Sequence, residues 1–534
     1  MVCILALDNK WKETVVNKEG TAGYRTDQAY TYNFFEKLGP VSLKTAAGLN
    51  GYVTAALNEP FTYLELGCGH AISLCGHAAV HPQGQFFGVD FMPAHIEFSK
   101  KMAESANIPN VTFIESSFAE LDLDAIPDCD FIVAHGVLSW VRVDICEQLQ
   151  AIVAAKLKPK GVYFVNYNAM PGWSAIQPLQ MLLSQGSGPV GNRSTVEQLT
   201  ENLHLIDKMI KSKAIYFNNN PMTAKVFDIV KTQTPNYLVH EFMHDKVEAF
   251  YVTEVAAHYA EIGLIYAGRA NLPQNYSELV IPKTFEAILQ PAKAASRLRY
   301  ELLTDYVLGT TLRDDLYVRD ANNIDSDNTH ALFGDLYFTL LKEIKTLEKG
   351  ITFGGETILF DSELDQKLLM LFSSQSQTID SLFKAPALVD YDRPDIFSRL
   401  KIMIASQVVM PCVKPLVENG VSVITKAQTK MLSRLNAMLF KVFVSRAENY
   451  VPFMSPITGS AVGLTSSIAK LCVALLVSNG GYGKALQWIL DHAEKTEILH
   501  DQKRQQEIKN ALIELEKNQL PLLDKLGIVI KWYK

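Results

Sequence analysis

Between residues 56 and 173 the hydrophobic positions fall into short apolar runs separated by longer stretches of helical spacing. The runs at 61–66, 85–90, 111–115, 130–134 and 161–166 predict strands, and the stretches near 71–80, 93–107 and 143–157 predict helices between them. Pro93 opens one helix just after Asp90, and Lys158-Pro159-Lys160-Gly161 breaks another ahead of the last strand. Such alternation implies right-handed crossovers, so the expected class is α/β, a doubly wound, mostly parallel Rossmann-like sheet.

The pattern changes after Trp173, becoming helical but irregular, which suggests an insertion near 175–235. Tyr237-Leu-Val-His-Glu241 reads as strand-like and is followed by a helix at 248–262, Gly263 and the apolar run Leu264-Ile265-Tyr266. These pieces fit either the end of the same sheet or the start of a second domain. Beyond about 280 helices dominate, with polar junctions at 320–328 and 390–394. The expected division is a tyrosine-rich lid at 1–55, a core at 56–280, a middle domain at 281–390 and a mainly helical domain at 391–534. The last includes a charged amphipathic helix at about 501–519, ended by Pro521. The longest apolar run, Ile468 to Val477, contains Lys470 and stops at Asn479-Gly480-Gly481, so it predicts a buried helix and no membrane span.

Two acids give the core its candidate chemistry. Phe61-Thr-Tyr-Leu-Glu65-Leu-Gly67-Cys-Gly69-His70 ends an apolar run in a carboxylate and a glycine turn, and Phe86-Phe-Gly-Val-Asp90 ends the next run in another acid. Acids at the carboxyl ends of the first two strands of a parallel sheet mark a nucleoside site. A dinucleotide fingerprint needs a third glycine, but Ile72 holds that place. Glu65 would repel a pyrophosphate and receive an ammonium, which favours S-adenosylmethionine, with S-adenosylhomocysteine as product. Asp90 is expected to accept the ribose hydroxyls, with Phe91 beside it. Ser117 and Phe118, in the turn after the third strand, are expected at the adenine. His135 ends the fourth strand, next to the transferable methyl, and Trp140 follows as a wall of the acceptor channel.

A competing motif, His240-Glu-Phe-Met-His244, matches H-E-x-x-H, which on a helix would present two zinc ligands and a base, with Glu254 as a third ligand. The strand-like context argues against it. His77 and His81 read as one face of a helix rather than a metal site, and no catalytic metal is expected.

Charge and cysteine content narrow the class. Fifty basic against 57 acidic residues give a net charge of −7, with no basic cluster, which argues against nucleic acid as a partner and suits a basic protein substrate. Seven cysteines without a C-x-x-C pair read as reduced thiols. Met1-Val-Cys-Ile-Leu-Ala-Leu-Asp8 has no basic leader, so a cytoplasmic location is expected.

Asn166-Tyr-Asn168-Ala-Met-Pro-Gly-Trp173 and His135-Gly-Val-Leu-Ser-Trp140-Val141 together resemble a bacterial family in which a class I methyltransferase core is joined to a methyltransferase regulatory domain. Tyr30-Thr-Tyr32, Tyr237–Glu241, Thr304-Asp-Tyr306 and Leu312-Arg313 through Arg319 extend the resemblance over about residues 20 to 320. Leu312, Ala71 and Ser117 depart from it, standing where an aromatic, a glycine and an acid are usual. Members include protein-lysine methyltransferases acting on outer-membrane proteins. The resemblance therefore implies a protein substrate, such as an outer-membrane protein before export, methylated on lysine. Free lysine titrates near 10.4, so supplying a neutral amine at pH 7 costs about 4.6 kcal/mol, which a desolvating aromatic channel would reduce. Tyr30, Tyr32, Trp140 and Trp173 are the expected channel, with Tyr30, Tyr32 and His135 as catalytic candidates and Asn168 as a further substrate contact. A small-molecule N- or O-methyltransferase and a non-catalytic cofactor sensor are the alternatives.

Overall fold

The computed structural model describes residues 32–188, 194–243, 247–320, 326–340, 344–347, 350–353, 356–416, 425–445, 448–477, 484–487 and 502–528. Its centre is one sheet of order β3-β2-β1-β4-β5-β8-β7, with β6 also paired to β5. The strands are β1 (Phe61–Leu66), β2 (Gly84–Asp90), β3 (Val111–Glu115), β4 (Cys129–Ala134), β5 (Leu157–Ala169), β6 (Ala249–Phe250), β7 (Leu264–Arg269) and β8 (Leu312–Arg319). Strands β1 to β5 run parallel, and β8 lies antiparallel between β5 and β7. Every residue of β1 is buried, as a parallel strand covered on both faces requires.

The sheet therefore continues past residue 280, where a boundary was expected. A buried ionic network fixes this outer part. Arg269 of β7 bonds Glu301 (2.9 Å) and Asp305 (2.7 Å) of the helix Arg297–Leu308, while Arg313 of β8 bonds Asp305 (2.8 Å), Asp315 (2.9 Å), Glu301 (3.1 Å) and the Tyr266 hydroxyl (2.8 Å). All of these side chains are buried. Burial pushes the Glu301 carboxyl up, but Arg269, Arg313 and Arg297 outweigh it and hold the group at about 2.

The helix α1 (Ile72–Val80) is buried on every side. One side packs on the sheet and the other meets the C-terminal region: Gly76 faces Met454, and His81 Nε2 lies 2.8 Å from the Gly459 carbonyl. Both belong to the hairpin Tyr450–Ser455 and Ser460–Thr465. Burial pushes the imidazoles of His77 and His81 down to about 3 and about 4, so both are neutral. One hydrophobic cluster thus joins the segment from Tyr32 and the sheet to C-terminal residues as far as Ile528.

Two expectations need correction. Tyr237–Glu241 is not a strand but part of the helix Pro235–Phe242, because Thr234 caps it and Pro235 opens it, and these start signals outweigh the apolar Tyr-Leu-Val run. Pro521 does not end a helix. It lies inside a continuous helical run made of Gln502–Glu514, a π-turn over Leu515–Gln519 and Leu520–Lys525, just past the π-turn that has already shifted the hydrogen-bond ladder. The insertion carries the helices Gln177–Gln185, Thr195–Lys211, Ile215–Asn219, Pro221–Val230 and Pro235–Phe242 around its own core. Among the described residues no helix is long and apolar enough to cross a membrane.

Candidate active site

A cavity of about 390 Å³ opens at the carboxyl ends of β3, β2, β1 and β4. Strand order alone lays out its wall: Ser117 and Phe118 after β3, Asp90 on β2, Glu65 on β1 and His135 after β4. This is the crevice at the reversal of strand order in which α/β sheets bind ligands.

The turn after β1 is built to bring backbone close. Gly67 and Cys68 donate their N–H groups to the Val89 carbonyl at 2.8 and 3.0 Å. Gly67 has φ +75°, and a Cβ there would lie 2.7 Å from Val137 Cγ2, so only glycine fits. Gly69 donates its N–H to Asp90 Oδ2 at 2.8 Å, and Asp90 Oδ1 accepts from Met92 N at 2.9 Å and lies 3.2 Å from His95 Nδ1. A carboxylate has roughly four acceptor sites, which leaves Asp90 capacity for a ligand hydroxyl. Close packing of α1 does not use a glycine at position 72. Gly88 on β2 provides it, since a Cβ there would lie 2.6 Å from Leu74 Cδ2.

Glu65 is buried, and its Oε2 has no hydrogen-bond partner among the described residues. Burial, and secondarily Asp90, push its carboxyl up to about 8. An unpaired buried carboxylate in a cavity wall is the complement of a cationic ligand group. His135 has the opposite shift: burial, and secondarily the Lys37 ammonium, push it down to about 3, so it is neutral at pH 7. Phe35 packs on it with ring centroids 4.1 Å apart, and Phe164 stacks at 6.2 Å.

Glu65, Gly67, Gly69, Asp90, Phe91, Ser117, Phe118, His135 and Trp140 all line the cavity. Tyr32 does not. Its ring is buried against His70, 4.2 Å away, and it is His70 that faces the cavity. Trp173 lies in the core of the insertion, stacked 6.4 Å from Phe242, and Asn168 is buried with its backbone N–H on Ser139 Oγ at 2.8 Å. Neither forms the wall. Tyr30 lies outside the described residues, as does His244. His240 lies in the helix Pro235–Phe242, and no cluster able to hold a metal occurs among the described residues.

The segment that covers the His135 end falls within the stretch 1–55 expected as a lid, at residues the sequence reading did not single out. Asn33 and Phe35 line the cavity there. Phe35 N–H bonds Ser73 Oγ at 2.9 Å, the Tyr450 hydroxyl bonds the Phe34 carbonyl at 2.8 Å, and Lys37 pairs with Asp314 of β8 at 2.7 Å. Nothing in local composition marks these long-range ties.

Residues 57–237 match the model of a methyltransferase domain, and residues 234–319 match that of a predicted methyltransferase regulatory domain. The solved structure of PKMT2 from Rickettsia typhi is similar over 92% of this chain and 99% of that one, with a TM-score of 0.64 and 17% identity, which shows a shared fold. The same protein in complex with AdoHcy aligns over 93% and 100%, also at 0.64, with 18% identity. The Synechocystis protein sll1526 is 26% identical over 513 residues, 95% of this chain and 99% of its own length. Over residues 57–237 the match and the fold are those of an S-adenosylmethionine-dependent methyltransferase. Its particular form is a methyltransferase domain followed by a predicted methyltransferase regulatory domain, whose match spans β6, β7 and β8 of the one central sheet.

Proposed function

We propose that this methyltransferase modifies the side-chain amine of lysine in a protein substrate, in the cytoplasm. One observation carries the reading of the site: Glu65, buried and with no partner for its Oε2 among the described residues, stands at a strand end next to Asp90, with the neutral His135 at the following strand end. S-adenosylmethionine, when bound, supplies a methyl on a sulfonium that a neutral nucleophile can take by displacement. Glu65 would hold its ammonium, Asp90 a ribose hydroxyl, the backbone at Gly67 and Gly69 its close approach, and Phe91, Ser117 and Phe118 the base end.

The acceptor end is aromatic, with the Lys37 ammonium 5.9 Å from the Phe35 ring. Phe35, His135 and Trp140 line it, and such surroundings depress the pKa of an entering amine. A neutral His135 can accept a hydrogen bond from that amine and so aim its lone pair. Trp140 also packs on the insertion core that holds Trp173, so the wall of the acceptor end is braced by the insertion. The likeness to PKMT2 over nearly the whole chain, and the resemblance to lysine methyltransferases acting on outer-membrane proteins, support a protein acceptor.

Incubation with methyl-labelled cofactor, cellular protein extract and a metabolite panel tests this, read by mass spectrometry. Label on protein lysines is the expected result. Label only on a small molecule would replace the lysine reading, and binding without transfer would make the protein a sensor.

A further inference from the structure

The strand order places the base of a bound nucleoside near the turn after β3, but that turn offers little to read it. Ser117 holds the place of an acid, and its hydroxyl already donates to Glu120 Oε2 at 3.1 Å. The same cavity is also lined from the helix Val143–Lys156, by Asp144, Ile145 and Gln148, with Val141 just ahead of it. Spacings of three and four put these on a single face. Phe118 and Val141 pack on the hydrophobic cluster that contains Cys146 and Leu149 of that helix, so turn and helix close one apolar end of the cavity.

Two polar groups stand on that face. Asp144 is held at both oxygens by Arg142, at 2.9 and 2.5 Å. Gln148 is not so engaged: its Oε1 is buried and has no hydrogen-bond partner among the described residues. An unpaired buried amide oxygen costs free energy that a ligand donor can recover. A carboxamide also offers an acceptor beside a donor, the pattern that complements the exocyclic amine and adjacent ring nitrogen of adenine.

We propose that Gln148 reads the exocyclic amine of the cofactor's adenine, in place of the acid that Ser117 replaces. The assignment rests on the cofactor site proposed above. Its test is a cycle of binding affinities for S-adenosylhomocysteine and for its purine-riboside analogue lacking the amine, by calorimetry on the full chain. Wild-type protein should lose about tenfold in affinity with the amine, one net hydrogen bond. Gln148→Leu should bind both ligands equally, and Gln148→Glu, which keeps an acceptor, should restore the preference. If loss of the amine costs the same in wild type and Gln148→Leu, both folded by melting, the assignment is wrong. Wild-type protein that binds neither ligand would overturn the cofactor site itself, and this assignment with it.

Discussion

Glu65 makes the clearest statement at the scale of a single residue. Its carboxyl sits near 8 in the folded chain against 4.5 as a free group, raised by burial. Between those values the folded protein keeps a proton that the unfolded chain has lost, so stability of the cofactor-free protein should fall as pH rises from about 5 to 8. Receiving an ammonium requires the ionised form, so cofactor affinity should rise over the same window. Melting temperatures against pH check the first point, and Glu65→Gln should flatten the slope. Ala71 is the other informative residue. It adopts φ 49° and ψ 31° at the start of α1, a left-handed conformation that costs a non-glycine residue about 1–2 kcal/mol. Ala71→Gly should therefore stabilise the protein by about 0.5–1 kcal/mol in urea unfolding, net of the added freedom of the unfolded chain.

At the scale of elements, the regulatory-domain match gains a structural meaning. Arg313 and Asp315 point into the ionic network, while Asp314 between them reaches the opposite side and pairs with Lys37 in the cover of the cavity. Removing one partner from a buried network leaves an uncompensated charge, so Arg313→Ala should cost about 3–5 kcal/mol of stability in denaturant titration. Asp314→Ala should leave the network intact but speed hydrogen exchange at Phe35, whose N–H is held by Ser73. Unchanged exchange would mean that Lys37 does not hold the cover.

The same elements show what a reader of the sequence could see. β1 to β5 and the helices between them were legible because each has its own periodicity, and Glu65 and Asp90 because strand ends carry a fixed chemical pattern. β8 was not legible as a member of the sheet. One of its two partners, β5, lies some 150 residues back, and its Arg-Asp-Asp segment looks exposed until the network is assembled. Tyr237–Glu241 misled because its apolar run has strand composition while its helix signal is the cap at Thr234, upstream of that run. Trp173 and Asn168 lie at or just after the end of β5 but do not line the cavity, Trp173 packing in the insertion core and Asn168 being buried.

At the scale of the whole molecule, the C-terminal region is part of the core. Deleting residues 391–534 would strip the hairpin from α1 and expose its outer face, so the truncated chain should be insoluble or bind hydrophobic dyes strongly. Glu65 and Asp90 are assigned to hold S-adenosylmethionine, and calorimetric titration of that cofactor into wild type and Asp90→Ala probes the assignment without relying on turnover. Saturable binding with proton release in wild type, lost in a folded Asp90→Ala protein, is the predicted result. Equal affinity in the two proteins would contradict it.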